Sequence, residues 1–236
     1  MTINISRRGI MRLPVVTKEC LPLILIVALC AWLVFYIGYK WLPLSKEWIA
    51  TAFILICFVL MLAILFFFRD PERKVPDAPE SLICPADGVV LSADQTFEPE
   101  YINGNAKRVS IFMNVLNMHV QRSPVSGTVE FCKDIKGKYI SAFKPDASQK
   151  NKQRLTGIRF NNRKILVKQI AGLLARTILS WKKEGDVLKA GERIGMIVLG
   201  SRVELYFPLD AEVLVKENDK VRAGETVVAK LNLKRG

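Results

Sequence analysis

Lys183-Glu-Gly-Asp-Val-Leu-Lys-Ala-Gly-Glu192 returns 33 residues later as Lys216-Glu-Asn-Asp-Lys-Val-Arg-Ala-Gly-Glu225. Each copy contains a Gly-Asp or Asn-Asp turn, a short apolar step and an Ala-Gly turn, and a strand-like run follows. A weaker echo joins Pro85-Ala-Asp-Gly-Val-Val90 to Pro124-Val-Ser-Gly-Thr-Val129. Two pairs of hairpin-like repeats predict a mostly β domain in the C-terminal two thirds of the chain.

Short β-rich runs surround these repeats from about residue 80 onward. The runs predicted as strands are Val89–Leu91, Val109–Met113, Gly127–Phe131, Gly157–Phe160, Ile165–Ile170, Gly195–Leu199, Val203–Phe207, Glu212–Val215 and Thr226–Leu231. For Ala171–Trp181 the pattern leaves a short helix and a strand both open. The predicted class is a small sandwich or barrel, and the paired hairpins resemble the barrel-sandwich hybrid of lipoyl and biotinyl carrier domains.

Two long apolar runs precede the β-rich region and predict a membrane anchor. Leu21–Tyr39 is 19 residues without a charge, and Trp48–Phe68 is 21. At about 1.5 Å per residue, each run is long enough to cross a bilayer core of about 30 Å as a helix. Because Pro22 and Pro43 flank the first run, a hairpin that only dips into the inner leaflet stays open.

The charges beside the apolar runs predict the orientation of the anchor. Basic residues precede the first run and follow the second, whereas the link between the runs holds only two lysines. The positive-inside rule therefore predicts that both ends lie in the cytoplasm. The chain divides into a basic cytoplasmic N-terminus, a two-helix anchor and a β domain, at 1–20, 21–68 and 69–236.

Composition limits the classes of partner. The formal net charge of +13 fits either nucleic acid or an anionic membrane surface. The sequence contains no zinc-finger, recognition-helix or RNP-type signature, so the membrane surface is predicted and nucleic acid is not. Its five cysteines form no CxxC pair and it has one histidine, which argues against a Cys/His metal site.

The stretch Gly195-Met-Ile-Val-Leu-Gly-Ser-Arg-Val-Glu-Leu205 holds the most unusual candidate for chemistry. Gly200-Ser201 interrupts what otherwise reads as two apolar strands. Gly200 can adopt a positive φ that other residues resist, which would expose its carbonyl to the Ser201 hydroxyl. The residues alone leave an ordinary turn as the alternative.

The stretch around Gly200-Ser201 is the last of a series of short motifs that follow one another along the chain. They are Phe68-Arg-Asp-Pro-Glu-Arg73, Pro85-Ala-Asp-Gly88, Ile111-Phe-Met-Asn-Val-Leu-Asn-Met-His-Val-Gln-Arg-Ser-Pro124, Gln169-Ile-Ala-Gly172, Lys183-Glu-Gly-Asp186, Gly191-Glu-Arg-Ile-Gly195 and Leu199-Gly-Ser201. Together they resemble the short bacterial and archaeal branch of the phosphatidylserine decarboxylases. The resemblance runs from about Phe68 to Val228, and a preceding anchor is typical of the family.

The resemblance implies a self-processing enzyme of phospholipid synthesis in the inner membrane, with its catalytic domain facing the cytoplasm. Cleavage between Gly200 and Ser201 would give chains 1–200 and 201–236, which stay associated, and would convert Ser201 into a covalent pyruvoyl cofactor. Phosphatidylserine would form a Schiff base with that group and leave as phosphatidylethanolamine. His119 would transfer protons, and Asp87 would orient or polarise His119.

The anionic headgroup needs cationic neighbours, and the candidate contacts are Arg122, Asn151 and Arg202. Further candidate cations are Lys144, Arg154 and Arg176. Two departures from the family bear on them. Longer members carry a second histidine three positions after His119, where this chain has Arg122. The family's Asn-Glu-Arg-like element is replaced here by Asn151-Lys-Gln-Arg154.

Other functions remain open from the sequence. One is a decarboxylase for a different serine-headed lipid, of the archaetidylserine type. Another is a membrane-anchored sandwich adaptor without chemistry, although such proteins carry a long coiled-coil hairpin and no heptad run exists here. A carrier domain needs a modifiable lysine at a hairpin tip, where this chain has Gly200-Ser201. A homo-oligomer is neither predicted nor excluded.

Overall fold

The computed structural model describes residues 15–16, 20–41, 45–78, 80–198 and 200–232. The chain divides into two compact units, the first ending at Glu72 and the second beginning at Arg73. Most of the predicted basic N-terminus lies outside the described residues.

The first unit contains two helices and a short strand pair. Its elements are β1 (Val15–Val16), α1 (Leu21–Trp41), α2 (Lys46–Phe67) and β2 (Arg69–Asp70), with β1 antiparallel to β2. Glu47 lies in the first turn of α2, where a carboxylate is favourable to the helix dipole. The helix ends at a capping bond from the Phe68 amide to the Ile64 carbonyl, and Pro71 follows shortly after. Both predicted helices are confirmed.

The second helix has the properties of a membrane span. Among the described residues, α2 alone is long and apolar enough to cross a bilayer, and the apolar stretch Ile24–Lys40 of α1 is shorter. Only 6% of the most apolar window of α2 is buried. Trp48, for example, is 74% exposed. A helix that presents large apolar side chains outward fits a lipid environment better than water.

The described regular elements of the second unit are strands, apart from one short helix. They are β3 (Ser81–Ile83), β4 (Gly88–Glu98), β5 (Gly104–Met113), β6 (Val120–Arg122), β7 (Gly127–Ile135), β8 (Gln153–Phe160), β9 (Arg163–Ile170), β10 (Ile178–Ser180), β11 (Val187–Leu188), β12 (Arg193–Ile197), β13 (Ser201–Phe207), β14 (Glu212–Val213), β15 (Lys220–Val221) and β16 (Val227–Lys230). One short helix, α3 (Ala147–Lys150), precedes β8. The predicted mostly β class is confirmed.

Three antiparallel sheets make up this unit. The largest has eight strands in the order β11-β7-β8-β9-β13-β5-β4-β15. Two three-stranded sheets have the orders β10-β12-β6 and β14-β16-β3. Strand β13 is central in the large sheet, between β5 and β9, and its first residue, Ser201, pairs with Met113.

Both faces of β13 are buried, and they differ in chemistry. Val203, Leu205 and Phe207 are fully buried in the main apolar core. The alternate residues Arg202 and Glu204 lie on the opposite face because side chains alternate along a strand. Ser201 shares the apolar face, so the predicted nucleophile begins a strand that the core fixes from both sides.

The long sequence repeat corresponds to a repeated backbone structure. Gly185 and Asn218 both have positive φ, 91° and 71°, at the equivalent turn position. Gly191 and Gly224, at the second turn of each copy, have φ of 76° and 74°. The conformation explains why Gly or Asn recurs at these positions, since other residues adopt it at a cost.

The long repeat pairs with the weaker echo in the large sheet. The first long copy contributes β11, whose Leu188 pairs with Gly127, and the second contributes β15, whose Val221 pairs with Gly88. Gly88 and Gly127 are the equivalent glycines of the weaker echo. Each copy of the long repeat therefore pairs with the start of a strand from the weaker echo.

The structure also differs from the predicted strands in places. Ala171–Trp181 is mostly a loop and contains only the short strand β10. The strand predicted as Gly195–Leu199 ends at Ile197, and Leu199 lies outside the described residues. Strands β3 and β6 were not predicted, because a buried run of three residues shows no alternation.

Candidate active site

The backbone at Gly200 and Ser201 is unusual in the way the sequence predicted. Gly200 has φ of +61°, a conformation that favours glycine, immediately before β13 begins. Ser201 is fully buried, and its hydroxyl donates to the sulfur of Met113 at 3.5 Å. A thioether is a weak acceptor, so this contact holds the hydroxyl only loosely and leaves it able to turn toward the Gly200 carbonyl.

The Gly200 carbonyl packs against the backbone of Gly172, in the loop after β9. A Cβ built at position 172 would lie 2.2 Å from the Gly200 oxygen, closer than two such atoms can approach. The same Cβ would lie 3.4 Å from the Cβ of Ala142. Gly172 is thus required for the position that the Gly200 carbonyl takes, and three chain segments meet at this bond.

His119 contacts Gly200 at its amide nitrogen, the end of the residue away from the scissile carbonyl. It is fully buried, and its Nε2 accepts a hydrogen bond from the Gly200 amide at 3.4 Å. The loop before it is held by Asn114, whose side-chain oxygen accepts from the amides of Leu116 and Asn117. The imidazole therefore faces the residue whose carbonyl the hydroxyl would attack.

Two buried glutamines support the backbone of His119. Gln121 donates from Nε2 to the His119 carbonyl at 2.7 Å, and Gln169 donates from its Nε2 to Gln121 Oε1 at 2.8 Å. Both side chains are at most 1% exposed. Neither glutamine was predicted to belong to the site, although both lie in the motifs quoted above, because an amide relay between distant strands has no local signal.

Asp87 has different contacts from those its predicted role suggested. Its Oδ2 pairs with Arg73 at 2.8 Å, and its Oδ1 accepts from the Ala223 amide at 2.7 Å. The same Nη2 of Arg73 lies 2.7 Å from the sulfur of Met118, the neighbour of His119. The described contacts thus connect Asp87 to the histidine segment through Arg73, a residue that sequence analysis had not assigned to the site.

The internal repeat gives Asp87 a structural counterpart in Ser126. Asp87 accepts from the amide of Ala223, and the Oγ of Ser126 accepts from the equivalent amide of Ala190 at 3.0 Å. Both contacts link a strand start to an Ala-Gly turn of the long repeat. Only the Asp87 copy adds a charge and an ion pair, so the capping role and the charge of Asp87 are separable.

The three predicted headgroup contacts are all buried and already bonded. Arg122 donates to the Gly191 carbonyl at 3.0 Å. Asn151 uses its amide to bind Ile140 on both backbone groups and the Ala171 carbonyl at 2.7 Å. Arg202 donates to the carbonyls of the 143–144 segment at 3.1 Å. Asn151 and Arg202 thus hold segments next to Gly172 and Ala142, which lie near the Gly200 carbonyl, whereas Arg122 holds the Ala-Gly turn of the long repeat.

A buried carboxylate lies under β13 on the face opposite Ser201. Glu204 accepts from Ser148 Oγ at 2.8 Å and from the Tyr206 hydroxyl at 2.7 Å. Burial lowers the pKa of Lys168 and of Arg202, while the charge of Glu204 opposes both shifts. This cluster fixes the strand that begins at Ser201, and the sequence gave no sign of it because its members are far apart in the chain.

Comparison with known proteins gives one consistent result. The family model described as phosphatidylserine decarboxylase matches residues 60–229. A relative from Carboxydothermus hydrogenoformans, named phosphatidylserine decarboxylase proenzyme, is 42% identical over 178 residues, which cover 75% of this chain and 84% of the relative. A relative of the same name from Symbiobacterium thermophilum is 36% identical over 223 residues, covering 94% and 98% of the two chains.

Proposed function

The chain belongs to the phosphatidylserine decarboxylase family, and from this premise we propose that it cuts itself between Gly200 and Ser201 and converts phosphatidylserine to phosphatidylethanolamine. The observation that carries the proposal is the Gly200 peptide. Three features meet around this residue: its positive φ, the buried hydroxyl of Ser201 next to its carbonyl, and the imidazole nitrogen of His119 at its amide.

Self-cleavage needs only groups of this chain and water. Ser201 Oγ attacks the Gly200 carbonyl carbon and the Ser201 nitrogen leaves it, so the amide becomes an ester. Loss of the Ser201 Cα proton then expels the Gly200 carboxylate and leaves dehydroalanine at 201. Water enters as ammonia leaves, which produces a pyruvoyl group at the start of residues 201–236. Proximity of hydroxyl and carbonyl supplies several kcal/mol of the barrier.

His119 is the proton carrier in this proposal. Its Nε2 faces the Gly200 amide, and an imidazole near neutral pH can both accept and return a proton. Asp87 acts as a positioning residue, because it holds Arg73 against Met118, the residue before His119. The charge of Asp87 thus acts on the histidine segment through an arginine.

The residues around position 201 fit a pyruvoyl group. The position is fully buried, and the neighbouring acceptor is a sulfur that places no charge on the group. The pyruvoyl carbonyl supplies an electron sink for the pair released as the substrate carboxylate leaves. His119 then delivers a proton to the carbon that lost the carboxylate.

The two products of cleavage stay together through strand pairing. The fragment 201–236 would contain β13, β14, β15 and β16. Of these, β13 hydrogen-bonds to β5 and β9, while β15 pairs with β4 and β16 with β3. Because β13 is buried on both faces, separation of the chains would require the large sheet to open.

The headgroup contacts are proposed at Arg122, Asn151 and Arg202. Asn151 ties the 140 segment to Ala171, and Arg202 holds the backbone of residues 143–144. The positive charges of the two arginines favour an anionic headgroup, while the backbone contacts of Asn151 and Arg202 fix the loops beside it. The exposed Lys144 adds a cation that is not held in an ion pair by the contacts described.

The anchor and the chemistry belong together physically. A diacyl lipid leaves a bilayer reluctantly, since each buried CH₂ contributes about 0.8 kcal/mol. The apolar helix α2 supports membrane association. The basic flanks of the two apolar runs favour a cytoplasmic catalytic unit at the inner membrane.

Intact-mass analysis of the purified full chain tests the proposal. We expect a fragment of 36 residues, 201–236, whose blocked N-terminus reacts with carbonyl reagents. Ser201→Ala should give one uncut chain that folds with the same far-UV spectrum. Mature, active protein that retains an unbroken Gly200–Ser201 amide would overturn the proposal.

A further inference from the structure

Three loops of the catalytic unit converge on the Gly200–Ser201 bond. The first loop, residues 114–118, approaches Gly200, since a Cβ at 200 would lie 3.8 Å from Val115. The third loop, residues 171–177, packs Gly172 against the Gly200 carbonyl. The second loop, residues 136–146, is bound to the third through Asn151, which bridges the Ile140 and Ala171 carbonyls. The scissile peptide therefore lies among the three loops.

Large apolar side chains project outward from all three loops. We call them the apolar rim, and they are Val115 (42% exposed), Leu116 (69%), Phe143 (63%), Leu173 (59%) and Leu174 (64%). These five are half of the ten exposed large apolar residues that the structure describes after Arg73. The second loop is held in place, because Arg202 donates to the carbonyls of residues 143–144 and Phe112 packs edge-on against the Phe143 ring.

Basic side chains accompany the apolar rim. The segment 136–152 contains five lysines and one acidic residue, Asp146, for a formal charge of +4. Lys144 follows Phe143 directly and is exposed, and Arg176, on the third loop, is exposed beside the Tyr139 ring at 5.7 Å. Exposed apolar tips with adjacent cations are typical of surfaces that bind anionic lipid, where each basic residue attracts the headgroup layer.

We propose that the apolar rim is a lipid-docking surface, which inserts into an anionic phospholipid bilayer and brings the mouth of the catalytic centre to the headgroups. The occupant is lipid because the rim surrounds the bond where the reactive group forms and because its charge complements an anionic leaflet. The inference rests on the proposed function, since a lipid substrate must reach that bond without leaving the bilayer.

The test compares a bilayer substrate with a soluble one. Full-length protein carrying Leu116→Asp, Phe143→Asp or Leu174→Asp is assayed on long-chain phosphatidylserine in anionic vesicles and on short-chain phosphatidylserine as monomers. The matched control is Val187→Asp, on the repeat hairpin, where the parent side chain is 75% exposed. We expect the vesicle-to-monomer rate ratio to fall at least about tenfold in the rim variants and to change less than about twofold in the control.

A second measurement reports directly how deeply the rim enters the bilayer, and it does not depend on the activity of the Asp variants. Leu174→Trp and Val187→Trp are reconstituted with brominated lipids, and the parent's own tryptophan signal is subtracted. Quenching at 174 but not at 187 supports insertion. Equal quenching at both positions overturns the proposal that the rim inserts into lipid. A wild-type rate ratio in all three Asp variants overturns it as well. Both results would be expected if the rim bound a protein instead. Failure of the proposed function differs, because wild-type protein would then decarboxylate neither substrate.

Discussion

The Gly200 carbonyl oxygen lies against Gly172 so closely that a methyl group on residue 172 would meet it at 2.2 Å. The scissile carbonyl is thus positioned by the absence of a side chain on a distant loop. His119 contacts the amide of the same residue from the other direction. Both ends of the Gly200 residue are held, which leaves the hydroxyl of Ser201 as the group free to move toward the carbonyl.

Gly172→Ala should slow self-cleavage. The added methyl must displace the Gly200 carbonyl, and a small misplacement of reacting atoms costs at least about tenfold in rate. The measurement is the appearance of the 201–236 fragment with time, by intact mass. Gly104→Ala is the matched control, because a Cβ at 104 would meet nothing within 4 Å. Cleavage of Gly172→Ala at the wild-type rate would show that the carbonyl does not need this position.

Asp87→Ser should separate the capping role of Asp87 from its charge. Serine at the equivalent position 126 caps the Ala190 amide, so a serine at 87 can cap Ala223. The variant leaves Arg73 without its closest carboxylate partner, although Glu225 remains at 3.6 Å. Breaking a buried pair costs about 3–5 kcal/mol, reduced here by that second partner.

We expect Asp87→Ser to fold with a lowered melting temperature and to remain largely uncut. Asp87→Ala, which loses both the cap and the charge, should be less stable than Asp87→Ser. Efficient cleavage of the serine variant would assign Asp87 to the turn alone and remove it from the catalytic proposal.

Much of the fold followed from local signals, whereas the site depended on distant contacts. The Gly and Asn turns of the long repeat were predictable because a positive φ restricts residue choice, and β13 was predictable because its apolar residues alternate. The partners of Asp87 were not, since Arg73 and Ala223 approach it from segments 14 and 136 residues away. Side-chain pairing across such separations is set by packing, which no short pattern in the sequence records.

Glu192 should make the unfolding free energy depend on pH at the acid side. A hydrogen bond from Lys182 holds the pKa of Glu192 below its usual range. Its folded pKa is therefore lower than the unfolded one. The contribution of ionised Glu192 to the unfolding free energy is complete above its unfolded pKa. It is lost as pH falls from about 5 through the folded pKa.

Glu192→Gln should lower the melting temperature at neutral pH by an amount that disappears in acid. The loss is under about 1 kcal/mol because the side chain is partly exposed. Melting curves of wild type, Glu192→Gln and the exposed Glu217→Gln between about pH 7 and 3 make the comparison. A wild-type advantage that grows as pH falls would contradict the assignment.

Gln121 and Gln169 should act as a coupled pair in positioning His119. Gln121→Met keeps the side-chain length but removes the donor to the His119 carbonyl and the acceptor for Gln169. The His119 carbonyl keeps its bond from the Ile197 amide, whereas the buried Gln169 donor loses its partner, which costs about 1–3 kcal/mol. Gln169→Met removes only the outer bond of the relay, so its effect on cleavage should be smaller, and the double variant should be less impaired than the sum of the two.

A double-mutant cycle on both the cleavage rate and the unfolding free energy distinguishes positioning from stability. Residues joined by a hydrogen bond typically couple by about 0.5–3 kcal/mol. If the glutamines position His119, the cycle for cleavage rate shows coupling at temperatures where every variant remains folded, and the pH profile of cleavage keeps its shape while its maximum falls. If the effects on cleavage rate are additive and coupling appears only in the unfolding free energy, the pair stabilises the core and does not position His119. His119 would then be held by its other contacts, such as the bond from the Ile197 amide to the His119 carbonyl.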